Sequence, residues 1–565
     1  MNWEKRFENI YGTEAAKQWI PKLRDRIETA KQLVSERTGQ NRIMKMEENS
    51  NRETGINQNI ILITYPDQIS EDESRLITFG RFAGQYLKDV FDVIHFLPFC
   101  PYSSDDGFSV IDYKELAQGL GSWEDLQRIA ENFTLMYDFV CNHVSAKSQW
   151  FQKCLQGDKQ YEKYFIEGDP QQDTSMVIRP RTSPLFTPFL ADGKKKYFWT
   201  TFSDDQIDLN YENPEVLYEA LDVFLFYLEQ GGSWIRLDAV GFLWKEAGTS
   251  CMHHEKTHEV IKLMRSVMDE VNPSGRIVTE TNVPHAYNIS YFGNGTDESH
   301  MVYQFPLPML VLYSFYKQNA GILSSWAKGL KLPTDKTGFF NFLASHDGIG
   351  LNPVRSIVPD EEIEELVAHL QKKCGALVSY KENQDGSKSA YEVNVSYFSA
   401  LKEDMDFERA KQRFLTAHAV LLGMPGDPAI YIHSYLGSEN DMEGVRRTGM
   451  NRTINREKFT YGELLGELAD VNSQREQIRA SLENIIRVRK GCDAFNAHAP
   501  QEVLEGPEEL FLFLRKGNRE TVLCLHNFSD RTVETQTPAG VNLLTGEEIR
   551  DRVKIPPYGF IWISI

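Results

Sequence analysis

Short apolar runs separated by longer stretches of helical period make up most of this chain. The runs are IILITYP, FDVIHFLPF, FTLMYDFV, SWIRLDAVGF, RIVTETN, HMVYQF, FFNFLASHD and PAIYI, eight in all. They are rich in β-branched and aromatic residues, which suits strands buried on both faces. The clearest helix between them is NPEVLYEALDVFLFYLEQGG, with Asn213 as cap, Pro214 in the first turn and glycines at the stop. Its apolar residues Leu217, Leu221, Phe224 and Leu228 recur at helical spacing. Strands alternating with helices predict parallel pairing, and eight is the number that closes a barrel.

The spacing is uneven. About 90 residues separate the third run from the fourth, and another long gap precedes the eighth. Such gaps exceed a loop in a compact domain and predict inserted subdomains. The resulting division is an N-terminal helical extension over 1–55, a barrel over 56–140, 213–347 and 413–495, insertions over 141–212 and 348–412, and a C-terminal antiparallel β-domain over 496–565. The extension rests on the polar helical period of EAAKQWIPKLRDRIETAKQLV and reads as an appendage. The β-domain rests on the alternation in LFLFLRKGNRETVLCLHNF around a KGN turn.

Composition narrows the class. The chain has 565 residues, 41% hydrophobic, with a net charge of -20. That charge argues against nucleic acid or an anionic membrane as partner, and an anionic ligand would need local cations. Seven cysteines stand singly with no C-x-x-C pair, as in a reduced intracellular protein. The start MNWEKRFENIYG has no apolar signal region, and the apolar run AHAVLLGMPGDPAIYI is broken by Gly, Pro and Asp. The expected class is a soluble, acidic, cytoplasmic protein.

One run breaks the apolar rule. In GGSWIRLDAVGF, Arg236 and Asp238 alternate with Ile235 and Leu237, so both charges point to one face of the strand. Other runs end in polar residues too: Asp138, Asn142 and His143 after the third, Glu280 after the fifth, His346 and Asp347 after the seventh, Asp105 and Asp106 after the second. In a barrel these positions share one rim, the face where reactive groups sit. Converging like charges gains nothing for folding, so three carboxylates on that rim point to function. Glycoside cleavage needs one carboxylate at the anomeric carbon and one protonated acid for the leaving group. Arg236 beside Asp238 favours the ionised form and an available nucleophile. Glu280 has no cation adjacent in sequence, so a closed pocket would raise its pKa and make it the proton donor. Asp347 would grip sugar hydroxyls in the transition state.

At these residues the sequence resembles the α-amylase superfamily. DFVCNH, WIRLDAVGF, TETN and ASHDG look like its four conserved regions, and QIDLN like its additional short motif. DAVGFLWKEAGTSC, HDGIGLNP, IVPDEEI and TINRE resemble the sucrose phosphorylase group more closely than starch hydrolases. The resemblance implies an α/β fold, a (β/α)8 TIM barrel with inserted domains B and B′ and a C-terminal β-domain. It implies Asp238 as nucleophile, Glu280 as acid/base and Asp347 as transition-state stabiliser. It further implies Asp105, Phe108, His143, Arg236, His346 and Arg456 as the glucosyl pocket. VIRPRTSPLF looks like the group's phosphate-contacting loop, with Arg181 at the phosphate and Arg179 as neighbour. Arginine suits that task because its planar fork binds phosphate oxygens in pairs.

The expected partners are therefore a small α-glucoside and inorganic phosphate, with no cofactor and no metal, and a homodimer as one candidate assembly. ETNVPHAYNISYFG after the acid/base looks more like the branch of glucosylglycerate and glucosylglycerol phosphorylases than like sucrose phosphorylase itself. Phe242, Trp244, Asn282, His285 and Tyr287 are the implied acceptor contacts. Ala286 stands where glycerate-type sequences tend to carry lysine, which leans the acceptor towards neutral glycerol. Glycerate is the alternative, with Arg355 or Lys381 as the charge, followed by sucrose, sucrose 6′-phosphate, and a glucosidase or transglucosidase. His253, His254 and His258 in CMHHEKTH lack the pattern of a metal site and are expected beside the acceptor or simply on a helix.

Overall fold

The computed structural model describes residues 2–48, 59–180, 183–382 and 388–565. All eight apolar runs form strands: β1 Ile61–Thr64, β2 Val93–Phe96, β3 Thr134–Val140, β4 Gly232–Asp238, β5 Arg276–Thr279, β6 Met301–Tyr303, β7 Gly338–Phe342 and β8 Asp427–Tyr431. They close into one parallel barrel in sequence order, with β1 paired to both β2 and β8. The fold is a (β/α)8 TIM barrel. Its strands are buried on both faces, which is why they read as continuous apolar runs.

Between β3 and β4 lies a hairpin of Phe186–Ala191 with Lys194–Trp199, and a short pairing of His143–Ser145 with Gln206–Asp208. Between β7 and β8 lies a three-stranded antiparallel sheet of Ile349–Gly350, Lys388–Asn394 and Leu377–Glu382, with the helix Asp360–Cys374 between its first strand and the other two. The C-terminal part is a six-stranded antiparallel sheet. Its strand Leu510–Lys516 turns Phe511 and Phe513 towards the main core and Leu510 and Leu512 towards a second apolar cluster, so LFLFL is apolar on both faces. The seven cysteines are free and buried. Among the described residues no helix is long and apolar enough to cross a membrane.

The N-terminal segment is not an appendage. It forms α1, Trp3–Glu48, interrupted at Gly12, whose φ of 81° lies in the left-handed region. α1 packs along α2, Pro214–Glu229, and α3, Glu255–Val271, two helices of the barrel wall. Phe7, Leu23, Ile27 and Ala30 are buried there. Arg26 pairs with Asp222 and Glu229 of α2, and Trp3 Nε1 donates to Glu270 of α3 at 3.0 Å. Its polar period misled because charged residues on this helix pair with the wall instead of facing only water. Leu23→Ala should cost about 2–5 kcal/mol through a cavity under α1; a denaturation midpoint unchanged from wild type would show that the helix contributes nothing.

Candidate active site

β4 ends at Asp238, and the backbone turns at once. Ala239 holds a left-handed φ of 50°, and a 3₁₀ turn runs Val240–Phe242. In the parallel register of β3 and β4, Asp138 lies beside Arg236 and Val140 beside Asp238. The Arg236 guanidinium therefore donates to Asp138 and, at 2.8 Å, to Asp238. Asp138 also bonds His95 Nε2 at 3.0 Å. The sequence reading gave Arg236 to Asp238 alone; the structure divides that charge between two buried carboxylates.

Glu280 follows β5, and its carboxylate accepts the N–H of Ala239 at 3.1 Å, beside the residue it must work with. Burial pushes the carboxyl groups of both Asp238 and Glu280 upward; the neighbouring anion Glu280 adds to the rise at Asp238, and Asp347 and Asp138 add to the rise at Glu280. Such a pair favours holding one proton between its members. Arg236 donates directly to Asp238, whereas among the described residues Glu280 receives a backbone amide. The shared proton therefore belongs on Glu280.

Asp347, in the loop after β7, is the third carboxylate. Burial opposes its ionisation, but the charges of His346 and Arg452 outweigh burial and hold it below the usual carboxylate range. Burial pushes His346 itself down to about 3, so near neutrality the cation beside Asp347 is Arg452, at 2.7 Å. Arg452 also pairs with Glu392 at 2.6 Å and lies 3.9 Å from Asp105. Sequence reasoning missed Arg452. It sits on the 3₁₀ turn Asn451–Asn455, four residues before Arg456, which follows that turn, and that spacing was the available signal.

The residues expected around the glucosyl unit are joined in one network. Asp105 and Asp106 hold left-handed φ values of 51° and 47°, backbone strain of the kind found at functional sites. Phe108 stacks on His346 at 4.7 Å. His143 Nε2 and Gln206 Nε2 both donate to the Phe108 carbonyl, at 2.9 and 3.0 Å. Arg456 donates to the His346 carbonyl at 2.8 Å and pairs with Asp106.

A cavity of about 630 Å³ opens in front of Glu280 and Asp347. Phe242, Asn282 and Tyr287 line it, as do Arg179, Lys381 and Arg452. Arg179 Nη2 donates to the Ser183 carbonyl, and among the described residues no carboxylate pairs with Arg179 or Lys381. Arg181 lies outside the described residues. Two of the acceptor expectations need correcting. Trp244 is buried against Tyr11 of α1 and under Lys256, away from the cavity lining. His285 sits on a short helix with its ring 6.4 Å from that of Phe339 and does not line the cavity either. Arg355 is engaged with Asp360 at 2.6 Å and with the Ala390 carbonyl at 2.8 Å.

The histidines of CMHHEKTH go separate ways. His254 caps α3 and pairs with Glu246 at 3.1 Å, while His258 bonds Glu298 at 2.6 Å. Asn142 Oδ1 accepts from the Lys245 ammonium at 2.7 Å, and Lys245 is also 2.7 Å from Asp208. An ammonium thus satisfies the oxygens that could otherwise hold a cation. Among the described residues no group of three or more His, Cys, Asp or Glu gathers as metal ligands would.

Comparison with known proteins places this geometry. The family described as alpha amylase, catalytic domain, matches residues 83–348. The chain is similar to a glucosylglycerate phosphorylase of Escherichia coli, 51% identical over 86% of each chain. A glucosylglycerol phosphorylase of Marinobacter adhaerens is 28% identical, over 77% of this chain and 88% of its own. Among solved structures, the sucrose 6F-phosphate phosphorylase from Thermoanaerobacter thermosaccharolyticum superposes with a TM-score of 0.74 at 25% identity, covering 90% of this chain and all of that one.

Proposed function

The chain belongs to the alpha-amylase family and, within it, to the sucrose phosphorylase-like members, and on that footing we propose that it is a retaining phosphorylase of glucosylglycerate. It is an α-glucoside phosphorylase by kinship; glycerate as the acceptor is the finer reading. The observation that carries it is the 51% identity to a glucosylglycerate phosphorylase against 28% to a glucosylglycerol phosphorylase. This reverses the lean towards glycerol that Ala286 suggested. Ala286 does not line the cavity, and a lysine at that place in the sequence is not needed for charge. Lys381, on the strand Leu377–Glu382 of the second insertion, lines the cavity and supplies a cation for a carboxylate.

The reaction follows from two carboxyl groups in unlike states. Asp238, ionised beside Arg236, attacks the anomeric carbon as the bond to the acceptor oxygen breaks. Glu280 gives its proton to that oxygen, and the acceptor leaves as the free alcohol. Inorganic phosphate then attacks the glucosyl-enzyme from the vacated side and gives a proton to the Glu280 carboxylate. Asp238 is released and α-glucose 1-phosphate forms, with the original anomeric configuration restored. Arg179 and the neighbouring Arg181 counter the phosphate charge in a protein whose overall field repels it. Asp347, Asp105 and Arg456 hold glucosyl hydroxyls.

The test is release of glucose 1-phosphate from glucosylglycerate, glucosylglycerol, sucrose and sucrose 6′-phosphate, each with and without phosphate. Phosphate-dependent release is expected from glucosylglycerate; preference for another glucoside overturns the acceptor, and equal free glucose without phosphate overturns the phosphorylase. Lys381→Ala should raise KM for glycerate in the reverse direction by roughly ten- to a hundredfold, the worth of a charge-assisted hydrogen bond. KM for glycerol as a poor acceptor should stay unchanged. An equal rise for both would remove Lys381 from carboxylate recognition.

A further inference from the structure

His253 enters the cavity wall from an unexpected direction. It lies in the loop between β4 and α3, where its backbone holds a left-handed φ of 57° and its N–H donates to the Gly241 carbonyl at 3.0 Å. A left-handed non-glycine residue is uncommon and persists where the surroundings fix it. The ring stacks nearly parallel on Tyr287, 5.3 Å between centroids with an interplanar angle of 7°. Both rings line the cavity, beside Glu280 and Asn282.

The other edge of the ring is tied down. Nδ1 lies 2.7 Å from the Tyr291 hydroxyl. Tyr291 is fully buried and keeps its proton, and among the described residues Nδ1 is the one partner of its hydroxyl; donation to Nδ1 leaves no buried phenolic hydrogen unpaired, so Nδ1 accepts. Burial pushes His253 down to about 4, leaving the imidazole neutral at physiological pH. A neutral ring that accepts at Nδ1 carries its hydrogen on Nε2. Among the described residues Nε2 has no protein partner.

The arrangement depends on close packing around the nucleophile turn. A Cβ on Gly241 would stand 3.1 Å from the Tyr291 hydroxyl and 3.8 Å from His253 Nδ1. Tyr291 is held from behind by the ring of His258, 4.7 Å away, and His258 is fixed by Glu298 at 2.6 Å. These contacts lock one tautomer and one orientation.

We propose that His253 is a specificity-determining residue of the acceptor subsite, donating from Nε2–H to a hydroxyl or carboxylate oxygen of the acceptor, with Tyr291 as the positioning residue that fixes its tautomer. The proposal rests on the phosphorylase reading above and adds a contact to the acceptor side of the same site. A neutral donor suits that place, because it grips an acceptor oxygen without competing with Glu280 for the transferred proton.

The test uses the full-length enzyme with glucose 1-phosphate as donor. Acceptor KM is measured for glycerate, glycerol and fructose, alongside arsenolysis of glucose 1-phosphate, in which arsenate attacks in place of an organic acceptor. His253→Asn keeps a residue tolerant of the left-handed backbone but too short to reach the acceptor. It should raise KM for the preferred acceptor about tenfold, with arsenolysis within about twofold of wild type. Tyr291→Phe frees Nδ1 to compete for the hydrogen and should move the same KM in the same direction by a smaller factor. Parallel losses in arsenolysis and acceptor KM, or an unchanged KM in His253→Asn, would overturn the proposal. If His253→Asn fails to fold, Tyr291→Phe with unchanged acceptor KM overturns it alone. Should wild type prefer another acceptor to glycerate, the glycerate reading falls, and the His253 effect is then read on the acceptor that works.

Discussion

Asp238→Asn should abolish turnover, lowering it by roughly four to six orders of magnitude, as loss of a covalent nucleophile does elsewhere. The amide keeps the shape of the carboxylate and can still accept from Arg236, which remains paired with Asp138. Folding should therefore survive. Removing a buried carboxylate whose ionisation burial and the neighbouring Glu280 oppose should leave the thermal midpoint equal to or above that of wild type near neutral pH. Near-normal activity in the purified variant would remove Asp238 from the nucleophile's role. A collapsed midpoint would mean that its charge is structural.

Glu280→Gln should divide substrates by how much acid help their leaving group needs. Cleavage of an α-glucoside, which without acid help would expel a strongly basic alkoxide, should fall about 10²- to 10⁴-fold. Formation of the glucosyl-enzyme from glucosyl fluoride should fall far less. The pH profile gives the sign. Because burial raises the Glu280 pKa, its proton donor persists to higher pH than an exposed glutamate would allow. Wild-type kcat/KM for the glucoside should fall as pH rises through that pKa, and fall again at low pH as Asp238 takes up a proton. The variant should lose the alkaline limb and keep the acidic one. An alkaline limb that persists unchanged in Glu280→Gln assigns the proton to another group.

The barrel was legible because a buried parallel strand can hardly be written otherwise than as an apolar run, and each of the eight runs is one. The carboxylates were legible because charge in such a run has few structural excuses. What failed were statements about neighbours brought together from afar. Trp244 was an acceptor contact implied by the resemblance to the glucosylglycerate and glucosylglycerol phosphorylase branch. The left-handed Ala239 and the turn Val240–Phe242 bring Phe242 to the cavity, while Trp244 packs beside Tyr11 of a helix more than 200 residues earlier. Lys381 and Glu392 reach the site from an insertion whose register no local period encodes. Ala286 misled for the same reason: a missing charge at one place in sequence says nothing about a charge delivered by another loop.

The packing of α1 has a consequence for the order of synthesis. Its buried residues Phe7, Leu23 and Ile27 are made well before their partners on α2 and α3, which end at Glu229 and Val271. At about 5–20 residues per second, the ribosome needs roughly 10–50 s to supply that surface. Throughout that interval the nascent chain carries an apolar helix face with nothing yet made to cover it. This helix must therefore wait for both partners before it docks, and a holdase that shields it during translation should raise the yield of folded protein.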